Sequence, residues 1–199
     1  MTDTSLGRRQ LLARTGVVGA LGALWGTQAD ARSKPQTWRW PGHVVLDVAC
    51  LGYTFAPFFD AALSDEDMRG ASFFVEGNIY RARTIPDGPD WDPTSADAIG
   101  HWFCRGWFIF HPDRPLPHVI TTQEYLLGII TADEPTPADT LVSSGLEGGV
   151  ELAHRAVIGG AGRYRHARGH VLQQTIGTNT TVLTGGTDAA PNFRFVFQF

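Results

Sequence analysis

The sequence predicts an all-β fold, either a sandwich or a barrel of short antiparallel strands. Runs rich in Val, Ile, Thr and aromatic residues recur along the chain, and Gly or Pro interrupts them about every ten residues. No segment keeps the i, i+3, i+4, i+7 apolar stripe of an amphipathic helix over three turns. The clearest element is Phe193–Phe199, in which Phe alternates with Arg, Val and Gln. One face of this predicted strand is all Phe and must therefore lie against a core.

Turn residues separate the predicted strands from one another. The polar run Ser64–Asp67 precedes the third strand, and a loop rich in Pro, Asp and Gly at 86–97 follows it. Segments rich in Pro at 111–117 and 133–139 bound the fifth strand. In chain order, the predicted strands are Val44–Leu51, Tyr53–Phe59, Ser72–Ile85, His101–Phe110, Val119–Ile130, Thr140–Leu146, Glu151–Ile158, Gly169–Thr175, Thr180–Leu183 and Phe193–Phe199.

The amino-terminal segment has the order of regions found in a secretory signal. Arg8 and Arg9 are followed by leucines, then by a weakly apolar stretch over Thr15–Trp25 and a small-x-small cleavage pattern at Ala29–Ala31. The paired arginines indicate the twin-arginine route. The apolar run, about eleven residues long, is too short to span about 30 Å of hydrocarbon. We therefore expect a twin-arginine signal peptide and a periplasmic or extracellular protein.

The domain boundaries follow from this signal. Residues 1–31 are expected to be removed, residues 32–43 to form an extended leader, and residues 44–199 to form the folded domain. The part after residue 31 carries 13 Lys and Arg against 18 Asp and Glu, a formal charge of −5. A net acidic chain with no basic block argues against nucleic acid or an anionic membrane as partner. No second segment is long and apolar enough to be a membrane span.

Several kinds of chemistry lack their motifs. Lys34, in the leader, is the only lysine, so Schiff-base catalysis is excluded, and no Gly-x-Ser-x-Gly elbow occurs. None of the seven histidines forms His-x-His or His-Glu-x-x-His, so no metal site is expected. No cofactor is expected either. Cys50 and Cys104 form no Cys-x-x-Cys pattern, and they either pair outside the cytoplasm or remain buried thiols.

Strand alternation ranks the polar residues of the predicted strands. In the fifth strand, Glu124 and Tyr125 point to opposite faces, so at most one of them lines a cavity. Tyr125 is the preferred proton-handling residue, and with Gln123 it would form a hydrogen-bonding wall. In the fourth strand, Arg105 shares a face with Trp107, on which it would stack unless it reaches a ligand.

Asp47 is a carboxylate in the nearly apolar first strand. A buried carboxyl group is a candidate general acid. The structural alternative is an ion pair with an arginine, which would keep the group ionised.

One stretch, AVIGGAGRYRHARGHVLQQT, resembles the signature of the dirigent and allene oxide cyclase barrel superfamily, in which a Gly-Gly-Thr-Gly turn leads into Ala-Arg-Gly and the next strand. Other segments resemble dirigent strands in the same order, and the resemblance covers about residues 70–199. These segments are Phe74–Tyr80, Ile99–Gly100, Cys104–Phe108 and Leu141–Gly145.

This resemblance implies an eight-stranded antiparallel β-barrel, often a homotrimer, with an apolar cavity at one mouth. It also implies site residues. Arg168 matches a pocket-facing arginine and would fix an anionic or carbonyl oxygen, and Asp47 matches a cavity aspartate. Arg163 stands where dirigent proteins often carry Asp or Lys, and Ala161 replaces their Thr. Because of these departures, plant lignan chemistry is not carried over.

The implied function is to hold a hydrophobic or phenolic small molecule and steer its stereoselective coupling or cyclisation without a cofactor. A separate oxidase is then a candidate partner that supplies reactive intermediates. Arg168, Asp47 and Tyr125 are the candidate catalytic residues, and the candidate ligand contacts are Arg105, Glu124, Gln123, Arg163 and Trp107. Two alternatives remain open: a carrier barrel without turnover, and a structural module whose cavity is smaller than the roughly 300 Å³ of a ligand site.

Overall fold

The computed structural model describes residues 42–56, 69–109, 118–133, 135–147, 152–182 and 189–199. The predicted signal peptide lies outside these residues, as does nearly all of the predicted leader. The described part contains nine strands and two short 3-10 turns, at Pro93–Ser95 and Gly162–Tyr164. The strands are β1 (His43–Ala56), β2 (Ser72–Arg81), β3 (Gly88–Trp91), β4 (Gly100–Ile109), β5 (His118–Leu127), β6 (Asp139–Glu147), β7 (Leu152–Ala161), β8 (Gly169–Val182) and β9 (Ala189–Gln198).

Eight of these strands close into an antiparallel barrel, which confirms the predicted fold class. Their order around the barrel is β8-β7-β6-β5-β4-β2-β1-β9, and pairing of β9 with β8 completes the ring. The remaining strand, β3, pairs in parallel with β8 through Gly88 and Trp91. Closure gives each of the eight barrel strands a paired neighbour on both sides.

The Phe face of β9 lies inside the barrel, as its period-two pattern predicts. Phe195 and Phe197 are fully buried, while Phe193 and Phe199 pack against the same core. From β1, Leu46 and other inward residues join this core. The inward side chains of opposite strands thus fill most of the barrel interior.

Two predicted boundaries differ from the observed ones for a geometric reason. Val44–Leu51 and the described part of the next predicted strand, 53–56, belong to one strand, β1, in which the register with β2 shifts between Cys50 and Gly52. Residues 57–59 of that predicted strand lie outside the described residues. A bulge of this kind bends a strand without ending it. In the same way, β8 runs through Gly177, whose backbone lies against Gly88 of β3.

The barrel has two distinct ends. We call the end where β1, β4, β6 and β8 finish the cavity end, and the opposite end the closed end. At the closed end, Tyr164 from the turn after β7 packs against Phe199, and Ala167 is fully buried beside the core. The 3-10 turn and its neighbours therefore plug this end of the barrel.

Asp47 lies on the outer face of β1, beneath the segment that follows β2. Its side chain has no solvent exposure and accepts hydrogen bonds from Arg194 Nε at 2.8 Å and from the backbone N–H of Ile85 at 3.1 Å. Arg194 also donates to the Ile85 carbonyl and to Asp87. These bonds hold the pKa of Arg194 above its ordinary value, the Asp47 carboxylate being the main cause. The cluster fastens the segment after β2 to β1 and β9.

We expect Asp47→Ala to lower the free energy of unfolding by about 3 kcal/mol, the lower end of the range for breaking a buried ion pair. The loss is limited because Arg194 still pairs with Asp87 and is partly exposed to solvent in the variant. Urea denaturation followed by circular dichroism measures this change. The matched control is Arg105→Ala, which removes an exposed pair with Glu124 and should cost less than about 1 kcal/mol. Equal losses in the two variants would contradict the fastening role of Asp47.

Candidate functional site

A cavity of about 200 Å³ lies inside the barrel toward the cavity end. Alternating residues of six strands face it, because every second side chain of a barrel strand points inward. Its walls are largely apolar and aromatic. The lining residues are Cys50, Phe73, Val75, Trp102, Cys104, Phe108, Val119, Glu147, Pro191 and Phe193.

Aromatic rings from three strands form much of the wall. Phe73 and Phe108 pack with their ring centroids 5.2 Å apart, and Trp102 lies 5.8 Å from Phe193. Trp102 also donates from its indole nitrogen to Gln123 at 3.4 Å. These contacts hold the rings in fixed positions, and such a surface suits a flat apolar ligand.

Glu147 is the one ionisable group other than a thiol among the residues that line the cavity. It lies at the end of β6, and its side chain is 20% exposed. It pairs with Arg155 of β7, whose side chain has no solvent exposure and whose Nη1 lies 2.5 Å from Glu147 Oε1. A guanidinium inside a barrel needs such a partner because burying an uncompensated charge is very costly.

Arg155 is held by further acceptors on neighbouring strands. Its Nη1 donates to the Thr121 hydroxyl at 2.6 Å, its Nη2 donates to the Thr121 carbonyl, and its Nε donates to Ser143 at 3.1 Å. The Thr121 hydroxyl in turn donates to Glu147 Oε1. The position of the guanidinium is therefore fixed by β5, β6 and β7 together.

Two amides complete the support of Glu147. The Gln123 side chain donates to Glu147 Oε1 at 3.0 Å and to the side-chain oxygen Oε1 of Gln173 at 2.9 Å. Gln173 donates to Glu147 Oε2 at 3.0 Å. We call Glu147, Arg155, Thr121, Gln123 and Gln173 the interior polar cluster. Its donors converge on one carboxylate, which they hold at the edge of the cavity.

Tyr125 lies beneath this cluster and is completely buried. Its hydroxyl donates to Gln123 at 2.5 Å and lies 3.2 Å from the Ser143 hydroxyl. Burial raises the pKa of Tyr125, chiefly because the phenolate would be desolvated. The ring packs edge-on against Phe195 and Phe197. Through the hydrogen bond from its hydroxyl, Tyr125 positions Gln123.

Cys50 and Cys104 both line the cavity and are free thiols. Burial raises the pKa of each to about 12, so both are protonated at neutral pH. Neither is therefore an activated nucleophile.

The structure divides the sequence-predicted site residues between three places. Gln123 and Tyr125 face the interior, side by side. Arg105, Glu124 and Trp107 lie on the outer face, where Arg105 Nη2 is 2.9 Å from Glu124 Oε1 and Trp107 is 51% exposed. Asp47, also on the outer face, lies in the cluster around Arg194. None of the outer-face residues lines the cavity.

Arg163 and Arg168 lie at the closed end, away from the cavity. Arg163 pairs with Asp139, Nε to Oδ2 at 2.6 Å, and lies over the Tyr164 ring. The exposed Arg168 donates to the carbonyl of its neighbour Ala167. Gly162 is a steric requirement of this motif: its φ is +58°, and a Cβ there would lie 2.3 Å from Asp139 Oδ1. In this chain the motif builds the turn that plugs the barrel.

Sequence reasoning missed Arg155, Glu147, Thr121 and Gln173. A signal for Arg155 exists in β7, where Arg155 has the same strand parity as the apolar Ala153 and Val157. A charge at an inward position is unusual and marks a candidate site. Glu147 had no comparable signal because it lies beside the glycine-rich end of its strand.

Within the described residues, no three His, Cys, Asp or Glu side chains are grouped so that they could hold a metal ion. The same part of the chain has no helix of the length and apolarity needed to cross a membrane.

No protein family profile and no curated protein matches this sequence. Solved structures do. Two pterocarpan synthase dirigent proteins superpose on 79% of this chain, each with a TM-score of 0.53. The first is 11% identical and is matched over 84% of its own length. The second is 12% identical and is matched over 94% of its own length. A pyocyanin demethylase is also similar, with a TM-score of 0.48 and 13% identity over 78% of this chain and 99% of that one.

Proposed function

From the dirigent-like barrel fold that this chain has, we propose that it binds a small apolar or phenolic molecule in the cavity and steers its cyclisation or a similar rearrangement without a cofactor. The observation that carries this proposal is a carboxylate, Glu147, held by convergent donors at the edge of an aromatic cavity. A fixed carboxylate beside a bound ring can accept or return a proton. A rigid apolar wall restricts the conformations from which the ligand reacts.

The cavity volume limits the ligand. An apolar protein cavity of about 150 Å³ binds benzene, and sites for drug-sized ligands begin near 300 Å³. At about 200 Å³, this cavity suits one ring or two fused rings. The volume therefore favours rearrangement of a single molecule over coupling of two phenols within one barrel.

The names of the similar structures agree with chemistry on a small molecule: two are called pterocarpan synthases. At their low sequence identity, this likeness supports the fold, and the choice of reaction rests on the cavity residues. Because Asp47 lies on the outer face and Tyr125 does not line the cavity, we assign the proton-handling role to Glu147.

Cavity filling tests the proposal. Val75→Phe places a ring in the cavity and takes up space that a ligand would occupy. Binding of a small aromatic probe, indole, should therefore weaken by about tenfold or more, which corresponds to a loss of about 1.4 kcal/mol in binding free energy. Isothermal titration calorimetry measures this loss. The control, Arg168→Ala at the closed end, should leave the affinity unchanged. Equal affinity in Val75→Phe and the wild type would contradict binding in this cavity.

A carrier without turnover is the second candidate function. It uses the same cavity, with Glu147 serving only to orient the ligand. Mass spectrometry of ligand extracted from the purified protein, before and after incubation, separates the two: a carrier returns its ligand unaltered.

A packed structural module is the third candidate, since the cavity is smaller than 300 Å³. The absence of any bound small aromatic would favour it.

We also propose that the protein is exported through the twin-arginine route, on the basis of Arg8, Arg9 and the apolar stretch that follows. Replacing both arginines by lysine should retain the protein in the cytoplasm. Cell fractionation followed by immunoblotting measures the distribution. Unchanged export of the variant would contradict this route.

A homo-oligomer, as the resemblance implies, is supported by an apolar row on the outer face. Trp107, Ile120 and Leu146 lie side by side on β4, β5 and β6 and are 51%, 46% and 48% exposed. Contiguous exposed apolar surface is typical of an interface. We propose that copies of this chain associate through this row, as trimers.

Ile120→Glu should dissociate the oligomer because it places a charge in the middle of the row. Size-exclusion chromatography with light scattering measures the mass of the assembly. Gln174→Glu, an exposed outward position on β8, is the control and should leave the mass unchanged. A wild-type monomer would contradict the proposed interface.

A further inference from the structure

We infer that the cavity selects ligands whose polar group is a hydrogen-bond donor, an O–H or N–H on a one- or two-ring system, and that it refuses anions. This inference rests on the proposed binding function and narrows its ligand class. It follows from how the hydrogen-bonding capacity of the interior polar cluster is already used.

The acceptor capacity of Glu147 is unequally filled. Its Oε1 receives three donors, from Thr121, Gln123 and Arg155. Its Oε2 receives one, from Gln173. A carboxylate oxygen carries two lone pairs, so Oε2 retains room for one further donor. The polar group that a ligand meets at this edge of the cavity is therefore an acceptor with one unused position.

The strong donors of the cluster do not line the cavity. The side-chain N–H groups of Gln123 donate to Glu147 and Gln173, Gln173 donates to Glu147, and Arg155 is held by Glu147, Thr121 and Ser143. Gln123 and Gln173 are absent from the cavity wall. Arg155 does not line the cavity, and its charge is compensated by Glu147. Among the lining residues, only the thiols of Cys50 and Cys104 remain as side-chain donors, and thiols donate weakly.

The consequence for a ligand is asymmetric. A hydroxyl or ring N–H can complete the shell of Oε2 with a charge-assisted hydrogen bond. A carbonyl or ether oxygen finds no strong donor and loses its bonds to water on entry. A carboxylate, in addition, meets the negative end of the Glu147–Arg155 pair, because Glu147 lines the cavity and Arg155 does not. Among ligands of the same shape, those that carry a hydrogen-bond donor should therefore bind more tightly.

Indole and benzofuran test this selection because they have the same shape and differ in one ring atom, N–H against O. Calorimetric titration of the purified protein should give indole an affinity about tenfold to a hundredfold higher, the range expected for a hydrogen bond to a charged group. Benzoate should not bind. Equal affinities for indole and benzofuran would overturn the inference and leave the proposed binding function intact. Failure of both to bind would overturn the two together.

Variants at the carboxylate assign the selection to Glu147. In Glu147→Gln the side chain both donates and accepts, so the preference for indole should fall toward unity. Because this variant leaves Arg155 without its partner, the double variant Glu147→Gln with Arg155→Met removes both charges and serves if the single variant does not fold. Gln173→Leu frees Oε2 further and should keep the preference. A preference that survives in the double variant, or that vanishes in Gln173→Leu, contradicts the role of Glu147.

Discussion

A fully buried guanidinium determines how the interior of this barrel is built. Arg155 cannot remain in a low-dielectric interior without a counter-charge and acceptors, and Glu147, Thr121 and Ser143 supply them from the two strands β5 and β6. Gln123 and Gln173 then orient the carboxylate. The charged pair, with the amides and hydroxyls that satisfy it, forms the polar edge of an otherwise aromatic cavity. The same requirement that stabilises the charge thus creates the site.

The fold was largely predictable because strand alternation records which face is buried. The Phe residues of β9 and the spacing of Gly and Pro identify an all-β chain, and the Gly-Gly-x-Gly and Ala-Arg-Gly segments indicate the barrel. Strand continuity was less accessible. β1 and β8 each pass through a register shift, where the local sequence carries the same turn residues as a true break. β3 has only two paired positions, too few to produce a periodic signal.

The site was predictable only where the alternation of side chains along a strand determines which residues face the interior. Parity separates Gln123 and Tyr125 from Glu124, and the structure has them on opposite faces. It does not say which end of a barrel is hollow, since this depends on how side chains from all strands share the volume. Arg168 and Arg163 belong to a conspicuous motif, yet that motif fills one end of the barrel. Arg155 and Glu147 lie on two strands, and their pairing depends on the register between those strands.

The seam between β1 and β9 joins residues far apart in sequence: the Asp47–Arg194 pair spans 147 positions. Contacts of such long range form late, since the chain first loses the entropy of closing a large loop. Folding is therefore expected on a timescale of milliseconds to seconds, as for other β proteins dominated by non-local pairing. Until β9 docks, β1 and β8 each present an open edge, and an intermediate in this state is the form most exposed to intermolecular strand pairing.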